Sequence, residues 1–141
     1  MEAIIVPAAL ITRKGTFLIA RRKPGGECGL LWELPGGKRE PGETDEETLR
    51  RELREELAVD CVVGSWYHTT VHRYRPDKIV ELRVFLVGLL GAVGTLADHE
   101  EIAWITPGDA AKYRFAPADL PVIERIVRDF PAEDEGGGHG I

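Results

Sequence analysis

The chain has 141 residues, 43% apolar and 30% charged, which places it in the range of one globular domain able to bury most of the surface its unfolded form exposes. Its net charge of -6 argues against a nucleic-acid polymer as partner, because gripping one needs clustered Lys and Arg to displace counterions. A small phosphate ester stays open as a ligand, since divalent cations bridge acidic side chains to anions.

The start, "MEAIIVPAALITRKG", has no basic leader and reads as a strand-length apolar run rather than a signal peptide. No stretch approaches the length of a membrane span, so no membrane partner is expected and the expected compartment is the cytoplasm. "AIIVPAALIT", "RKGT" and "FLIARR" predict two strands joined by a glycine turn as a hairpin, with Pro7 marking an edge or a bulge. "LLWELPGG" predicts a short strand broken by Pro35, Gly36 and Gly37, whose backbone suits close approach to a ligand or another segment. Thr44 followed three residues later by Glu47 is a capping box that starts a helix just after the Pro41-Gly42 turn.

"VDCVVGSWYHTTVHRYR" and "KIVELRVFLVGLL", separated by Pro76 and Asp77, predict a second hairpin. In the latter, Glu81 and Arg83 alternate with apolar residues, as in a half-buried strand. "EIAWIT" predicts another strand, with a helix start at Pro107. In "APADLPVIERIVRDF", Val122, Ile123, Ile126, Val127 and Phe130 share one helical stripe that would pack against a sheet. The segment 131–141, "PAEDEGGGHGI", is expected to be disordered. Cys28 and Cys61 have no disulfide or zinc spacing and read as buried or incidental thiols. This order predicts one α+β domain over residues 1–130, in α/β/α layers with a mixed sheet between helices. A monomer is the default, with a homodimer conceivable through an edge strand such as residues 2–12.

The central helix carries the chemistry. At 100° per residue, Leu49, Leu53 and Leu57 form one apolar stripe, and Glu52, Glu55 and Glu56 fall within an arc of about 100° beside it. A solvated face explains the pairs Glu46 with Arg50 and Glu47 with Arg51 at four-residue spacing. It explains the glutamate trio less well, because like charges three and four apart repel. The Gly-Gly and Pro-Gly turns upstream let a glycine carbonyl and several carboxylates converge, which is the oxygen-rich environment that Mg2+ or Mn2+ takes. A water on such an ion is a potential nucleophile toward phosphorus.

Gly37, Glu43 and "RELREELAV" at residues 51–59 resemble the Nudix box, G-x5-E-x7-R-E-U-x-E-E-x-G-U, with Ala58 where the pattern has its last Gly. That glycine mainly ends the helix in a left-handed turn, so its replacement bears on loop shape and not on the ligands. "IARR", "LWELPGGK", "HEEIAWITP" and "FAPADLPVIERI" extend the resemblance, in order, to the MutT-type branch. The resemblance implies the Nudix fold, a mixed sheet between helices. It also implies Mg2+- or Mn2+-dependent cleavage of nucleoside triphosphates to monophosphate and pyrophosphate. Glu52, Glu55 and Glu56 would be metal ligands together with the Gly37 carbonyl, and Glu52 could instead be the general base. Arg51 and Glu43 would be an ion pair that orients the loop against the helix.

Of Asp98, Glu100 and Glu101, which resemble the loop delivering a further ligand or base, Glu100 is assigned to the metal. Arg22, Glu33, Leu34, Lys38 and Asp119 would lie on the substrate side, Arg22 and Lys38 against phosphate. His68 and His72, four apart in a strand, do not make a helical metal pair. Asp119 occupies the position where MutT-type enzymes read the base. An ionised Asp only accepts, which suits the cytosine amino group and ranks CTP, dCTP and 5-methyl forms above 8-oxo-dGTP. Two alternatives stand beside this: Asp119 merely caps the last helix, or burial protonates it and restores a donor for 8-oxoguanine. The competing class is a nucleotide-binding module without catalysis.

Overall fold

The computed structural model describes residues 2–130, so the expected disordered tail lies outside the described residues. In chain order these form β1 (Ile4–Leu10), β2 (Thr12–Arg13), β3 (Thr16–Arg22), β4 (Trp32–Glu33), α1 (Asp45–Leu57), β5 (Cys61–Arg75), β6 (Lys78–Leu89), β7 (His99–Ile105), a 3-10 turn (Pro107–Lys112) and α2 (Leu120–Asp129). β5 and β6 make the second expected hairpin, antiparallel about Pro76 and Asp77. β1 lies parallel to β6, giving a mixed sheet in the order β1-β6-β5. A second, antiparallel sheet sets β3 against β2, β4 and β7.

β1 and β3 explain the layering. Their side chains alternate between two cores, so both faces are buried and the strands read as nearly continuous apolar runs. Ala8, Leu10, Phe17 and Ile19 face a cluster completed by Leu82, Val84 and the α2 residues Val122, Ile123 and Ile126. Ala9, Ile11 and Leu18 face the opposite cluster, where the α1 stripe of Leu49, Leu53 and Leu57 is fully buried. At about 1.5–3 kcal/mol for each large aliphatic side chain buried, that stripe fixes which face of α1 is left for function.

Four expectations are corrected. The first hairpin is short: Lys14 and Gly15, both at positive φ, turn Thr12–Arg13 back onto Thr16–Phe17, while the long strand β1 departs to pair with β6. Pro7 does not mark a free edge, because its carbonyl accepts the Gly37 N–H at 3.2 Å and the Ala9 N–H donates to the Pro35 carbonyl at 2.8 Å. Residues 2–12 therefore offer no open edge for a homodimer over β1. Pro107 starts only a 3-10 turn, and Val127 is exposed although Val122, Ile123 and Ile126 are buried as predicted. Both cysteines are free thiols, Cys61 buried and Cys28 half-buried. Among the described residues, no helix is long and apolar enough to cross a membrane.

Candidate active site

The loop from Pro35 to Thr44 is held at both ends before it reaches α1. Its first part pairs with β1, adding an Arg39 N–H donated to the Ile5 carbonyl at 2.9 Å. Its last part ends in the predicted capping box, with the Glu47 N–H donated to Thr44 Oγ1 at 3.1 Å and the Thr44 N–H to Glu47 Oε1 at 2.8 Å. Asp45 in the first turn of α1 accepts from Arg39 at 2.9 Å and from Arg83 of β6 at 3.2 Å, which ties the helix start to the sheet.

Arg51 locks the middle. Its Nε donates to Glu43 Oε2 at 2.7 Å and its Nη2 to Glu43 Oε1 at 3.0 Å, a two-pronged pair that fixes both partners. The guanidinium also reaches the Lys38 carbonyl at 3.2 Å, Glu52 Oε2 at 2.5 Å and Glu55 Oε2 at 3.3 Å. Glu43 further accepts from the Glu40 N–H and the Thr48 hydroxyl. Arg51, with these added donors, holds the Glu43 carboxyl down to about 2. The loop-to-helix ion pair expected of Arg51 and Glu43 is present.

The three glutamates are not equivalent. Glu55 is largely exposed at the rim, whereas Glu52 and Glu56 turn inward. Glu52 lies against Gly37 so closely that a Cβ there would sit 1.8 Å from Glu52 Oε1. Glu56 is buried, and burial, with Glu52 beside it, pushes its carboxyl up to about 9. Its Oε2 has no hydrogen-bond partner. Ala58 closes α1 in the left-handed conformation at φ 51° and ψ 46°, so the turn the Nudix pattern assigns to Gly is made without one.

Two adjacent inward carboxylates, an unpartnered buried oxygen and a glycine with no room for a side chain fit a divalent cation. Among the described residues no three His, Cys, Asp or Glu side chains form a closed cage. An open half-site of this kind suits Mg2+, which is commonly held by one or two carboxylates and completed by waters and substrate phosphates.

β7 delivers a residue that sequence reasoning passed over. Arg21 is opposite Glu101 and Arg22 opposite His99, so Glu100 is an extra residue in a bulge. The bulge leaves Glu100 exposed and turns His99 inward. Glu100, the residue assigned to the metal, is exposed, and among the described residues no hydrogen bond or ion pair joins it to Glu52 or Glu56. Asp98 is also exposed, and Glu101 pairs with Arg21 at 2.8 Å. His99 instead has Nε2 2.9 Å from Glu33 Oε2 and Nδ1 3.8 Å from Glu56 Oε2.

On the other side of Glu33 stand Arg22 and Asp119. Arg22 Nη1 is 3.2 Å from Glu33 Oε1 and nearly half exposed. Lys38 is exposed, and its carbonyl accepts from Arg51. Asp119 is 4% exposed and stands at the N-cap position just before α2, but its side chain does not cap the helix. It accepts the Leu34 N–H through Oδ2 at 2.9 Å, and complete burial beside Glu33 pushes its carboxyl well above the usual range. The capping explanation of Asp119 is thereby removed. Trp32 is pinned by the Arg114 carbonyl and the Ala116 N–H, each at 2.8 Å, so the "WEL" segment is a fixed wall.

A layered α+β fold with carboxylates on a capped helix, clamped by Arg to an upstream glutamate, defines a class of metal-assisted phosphohydrolases. A family model described as NUDIX domain matches residues 1–126. A CTP pyrophosphohydrolase of Escherichia coli K12 is 37% identical over 127 residues, covering 90% of this chain and 93% of its own. An 8-oxo-dGTP diphosphatase of Haemophilus influenzae is 30% identical over 130 residues, covering 91% and 95%. The crystal structure of the MutT protein from Methanosarcina mazei Go1 superposes with a TM-score of 0.78 at 29% identity, covering 94% of this chain and 99% of that one. The solution structure of the Escherichia coli ORF135 protein gives 0.74 at 36%, covering 94% and 96%. The chain belongs to the Nudix family and is a MutT-type Nudix hydrolase.

Proposed function

We propose that this protein hydrolyses nucleoside triphosphates to monophosphate and pyrophosphate with Mg2+ or Mn2+, preferring cytidine nucleotides. The observation that carries the reading is the Glu52–Glu56 pair set against Gly37 with one buried oxygen unpartnered. The cation, when bound, would supply Lewis acidity toward the phosphate oxygens and lower the pKa of a bound water. Glu52 and Glu56 would hold it with the Gly37 carbonyl and Glu55 at the rim. Arg51 and Glu43 keep that loop and helix in register, a positioning contribution in which displacement by about 1 Å costs on the order of 100-fold. Arg22 and Lys38 would bind phosphate from the exposed side. The site would be worked by the protein alone or as a homodimer, in the cytoplasm.

Asp119 supports the base preference. With Oδ2 occupied by the Leu34 N–H, an ionised carboxylate presents acceptor character to the base, which matches the N4 amino group of cytosine. The relative named CTP pyrophosphohydrolase agrees with this choice. A second reading, 8-oxo-dGTP, is favoured by the burial that raises the Asp119 carboxyl, since the protonated form gains a donor for O6. kcat/KM on CTP, dCTP, 5-methyl-dCTP and 8-oxo-dGTP, for the unaltered protein and Asp119→Asn, tests the choice. Cytidine substrates should lead, and Asp119→Asn should shift preference toward 8-oxo-dGTP. A lead for 8-oxo-dGTP that Asp119→Asn leaves unchanged refutes the role of Asp119. A Glu56→Gln protein that turns over at the unaltered rate refutes the metal reading and favours a binding module.

A further inference from the structure

The turn that carries Asp119 is held from two sheets. On one side Trp32 of β4 donates its N–H to the Arg114 carbonyl and accepts the Ala116 N–H, each at 2.8 Å, and Leu34 donates its N–H to Asp119 Oδ2 at 2.9 Å. On the other side the Ala118 N–H donates to the Tyr74 hydroxyl of β5 at 3.1 Å. Among the described residues, no other hydrogen bond joins residues 114–120 to the mixed sheet. Ala118 is 3% exposed, so its N–H is shielded from water and depends on that hydroxyl for a partner.

Tyr74 is the fixed end of this contact. Arg73 is opposite Ile79 and Arg75 opposite Lys78, so Tyr74 is the extra residue of a bulge at the end of β5, a feature that re-aims a side chain. Its ring stands edge-on to His72 with centroids 4.6 Å apart, and Lys78 Nζ lies 5.3 Å from the ring centroid. Lys78 is held in turn by Glu27 at 3.0 Å. The turn belongs to no helix or strand ahead of Leu120 and has one bridge, at Phe115, so it is the end that can move. Among the described residues, none of its hydrogen bonds reaches α1, so the carboxylates there do not depend on it.

We infer that Tyr74 is a positioning residue for base selection, whose hydroxyl holds the Asp119 turn against Leu34 so that Asp119 meets the base in one place. This rests on the proposed function and deepens it. Removing the hydroxyl leaves a buried donor unpaired, which the turn relieves by moving toward water. Asp119, one residue on, moves with it, and its bond from the Leu34 N–H weakens in step. Binding of the base suffers while the chemistry on α1 does not, which gives a raised KM at nearly unchanged kcat.

The experiment uses Tyr74→Phe, which keeps the ring against His72 and removes only the hydroxyl. Amide hydrogen exchange followed by NMR on the nucleotide-free protein should show the Leu34 N–H exchanging about fivefold or more faster, the low end for an unsatisfied buried donor. That gain should exceed any change at core amides such as that of Ile19, which is fully buried. KM for CTP should rise by a similar factor with kcat within about twofold, and the preference between CTP and 8-oxo-dGTP should narrow. With Asp119→Ala already in place, Tyr74→Phe should leave that preference unchanged, as for two residues acting through one contact. A merely structural tyrosine would speed Leu34 and Ile19 alike and would lower the rates on both nucleotides by one factor in either background. That pattern, or unaltered Leu34 exchange, overturns the inference whatever the turnover. Absence of turnover on every nucleotide by the unaltered protein, with Leu34 exchange selectively faster in Tyr74→Phe, would count against the proposed function alone.

Discussion

Gly36 and Gly37 are neighbours in sequence, and alanine at each should fail for opposite reasons. A Cβ at Gly36 would lie 2.2 Å from the Pro7 carbonyl oxygen and 2.7 Å from Ala8 Cα, both backbone of β1. β1 cannot yield, because residues 4–10 are registered along β6 and residues 7–10 are buried. The loop must therefore peel away. That costs about 1–3 kcal/mol for overpacking and roughly 1 kcal/mol for each lost bond between the loop and β1. Gly36→Ala should lower the melting temperature by roughly 5–15 °C for a domain of this size.

The three atoms nearest a Cβ at Gly37 all belong to the Glu52 side chain, Oε1 at 1.8 Å and Cδ at 2.2 Å among them. The carboxylate must retreat by about 1.5 Å to reach ordinary van der Waals separation. A flexible side chain does this for less than about 1 kcal/mol, but misplacement on that scale costs on the order of 100-fold in rate. Gly37→Ala should melt within a few degrees of the unaltered protein while pyrophosphate release falls about 100-fold. Thermal unfolding by circular dichroism and a pyrophosphate assay on the same preparations decide it. Full activity in Gly37→Ala, or an unaltered melting temperature in Gly36→Ala, would refute the reasoning.

Ala58→Gly should raise stability by about 1 kcal/mol in denaturant unfolding, because an L-residue at φ 51° is strained and glycine is not. A loss would mean that the Ala58 methyl packed on Gly94 contributes more than the strain. Arg51→Lys keeps the charge but not the fork, so kcat/KM should fall about tenfold or more in steady-state assays, and a rate within twofold of the unaltered enzyme would show that the pairing with Glu43 does not position the loop. Asp119→Asn should change the pH dependence of stability. Asp119 has a raised folded-state pKa, so its contribution is intact below about pH 4, where the carboxyl is neutral folded or unfolded, and is lost as pH rises through the raised value. Asn keeps an acceptor for the Leu34 N–H without that loss, so the variant's advantage in thermal melts should grow from acid to neutral pH. A constant difference across pH would refute the burial argument.

The parts of this fold that could be read from the sequence are those where local chemistry and packing agree. Thr44 and Glu47 announce the start of α1, the leucine stripe announces its buried face, and Pro76-Asp77 announces the β5–β6 hairpin. The pairing of β1 was not legible in the same way. Its apolar run predicts burial but not a neighbour, and a short glycine turn beside it favours a local hairpin over a parallel partner about 75 positions away. The loop pairing that covers β1 depends on Gly36 admitting the Pro7 carbonyl, a contact that appears only once the strand is in place.

The site divides along the same line. Residues on one helix and the loop that feeds it, Gly37, Glu43, Arg51, Glu52 and Glu56, keep a fixed spacing because backbone geometry dictates it, and their spacing survives in the sequence. His99 reaches the site from a strand whose phase is reversed by one inserted residue, and alternation counted along "DHEEIAW" directs attention to the acids instead. Asp119 was found, but its environment was not. A residue before Leu120-Pro121 at a helix start has the pattern of a cap, and only the approach of the Leu34 N–H, 85 positions earlier, shows that its carboxylate is turned to that backbone instead. A helical metal site thus leaves a periodic trace, whereas groups that meet across the sheet leave none. His99, Glu33 and Asp119 are brought together in this way, by tertiary packing and not by spacing in the chain.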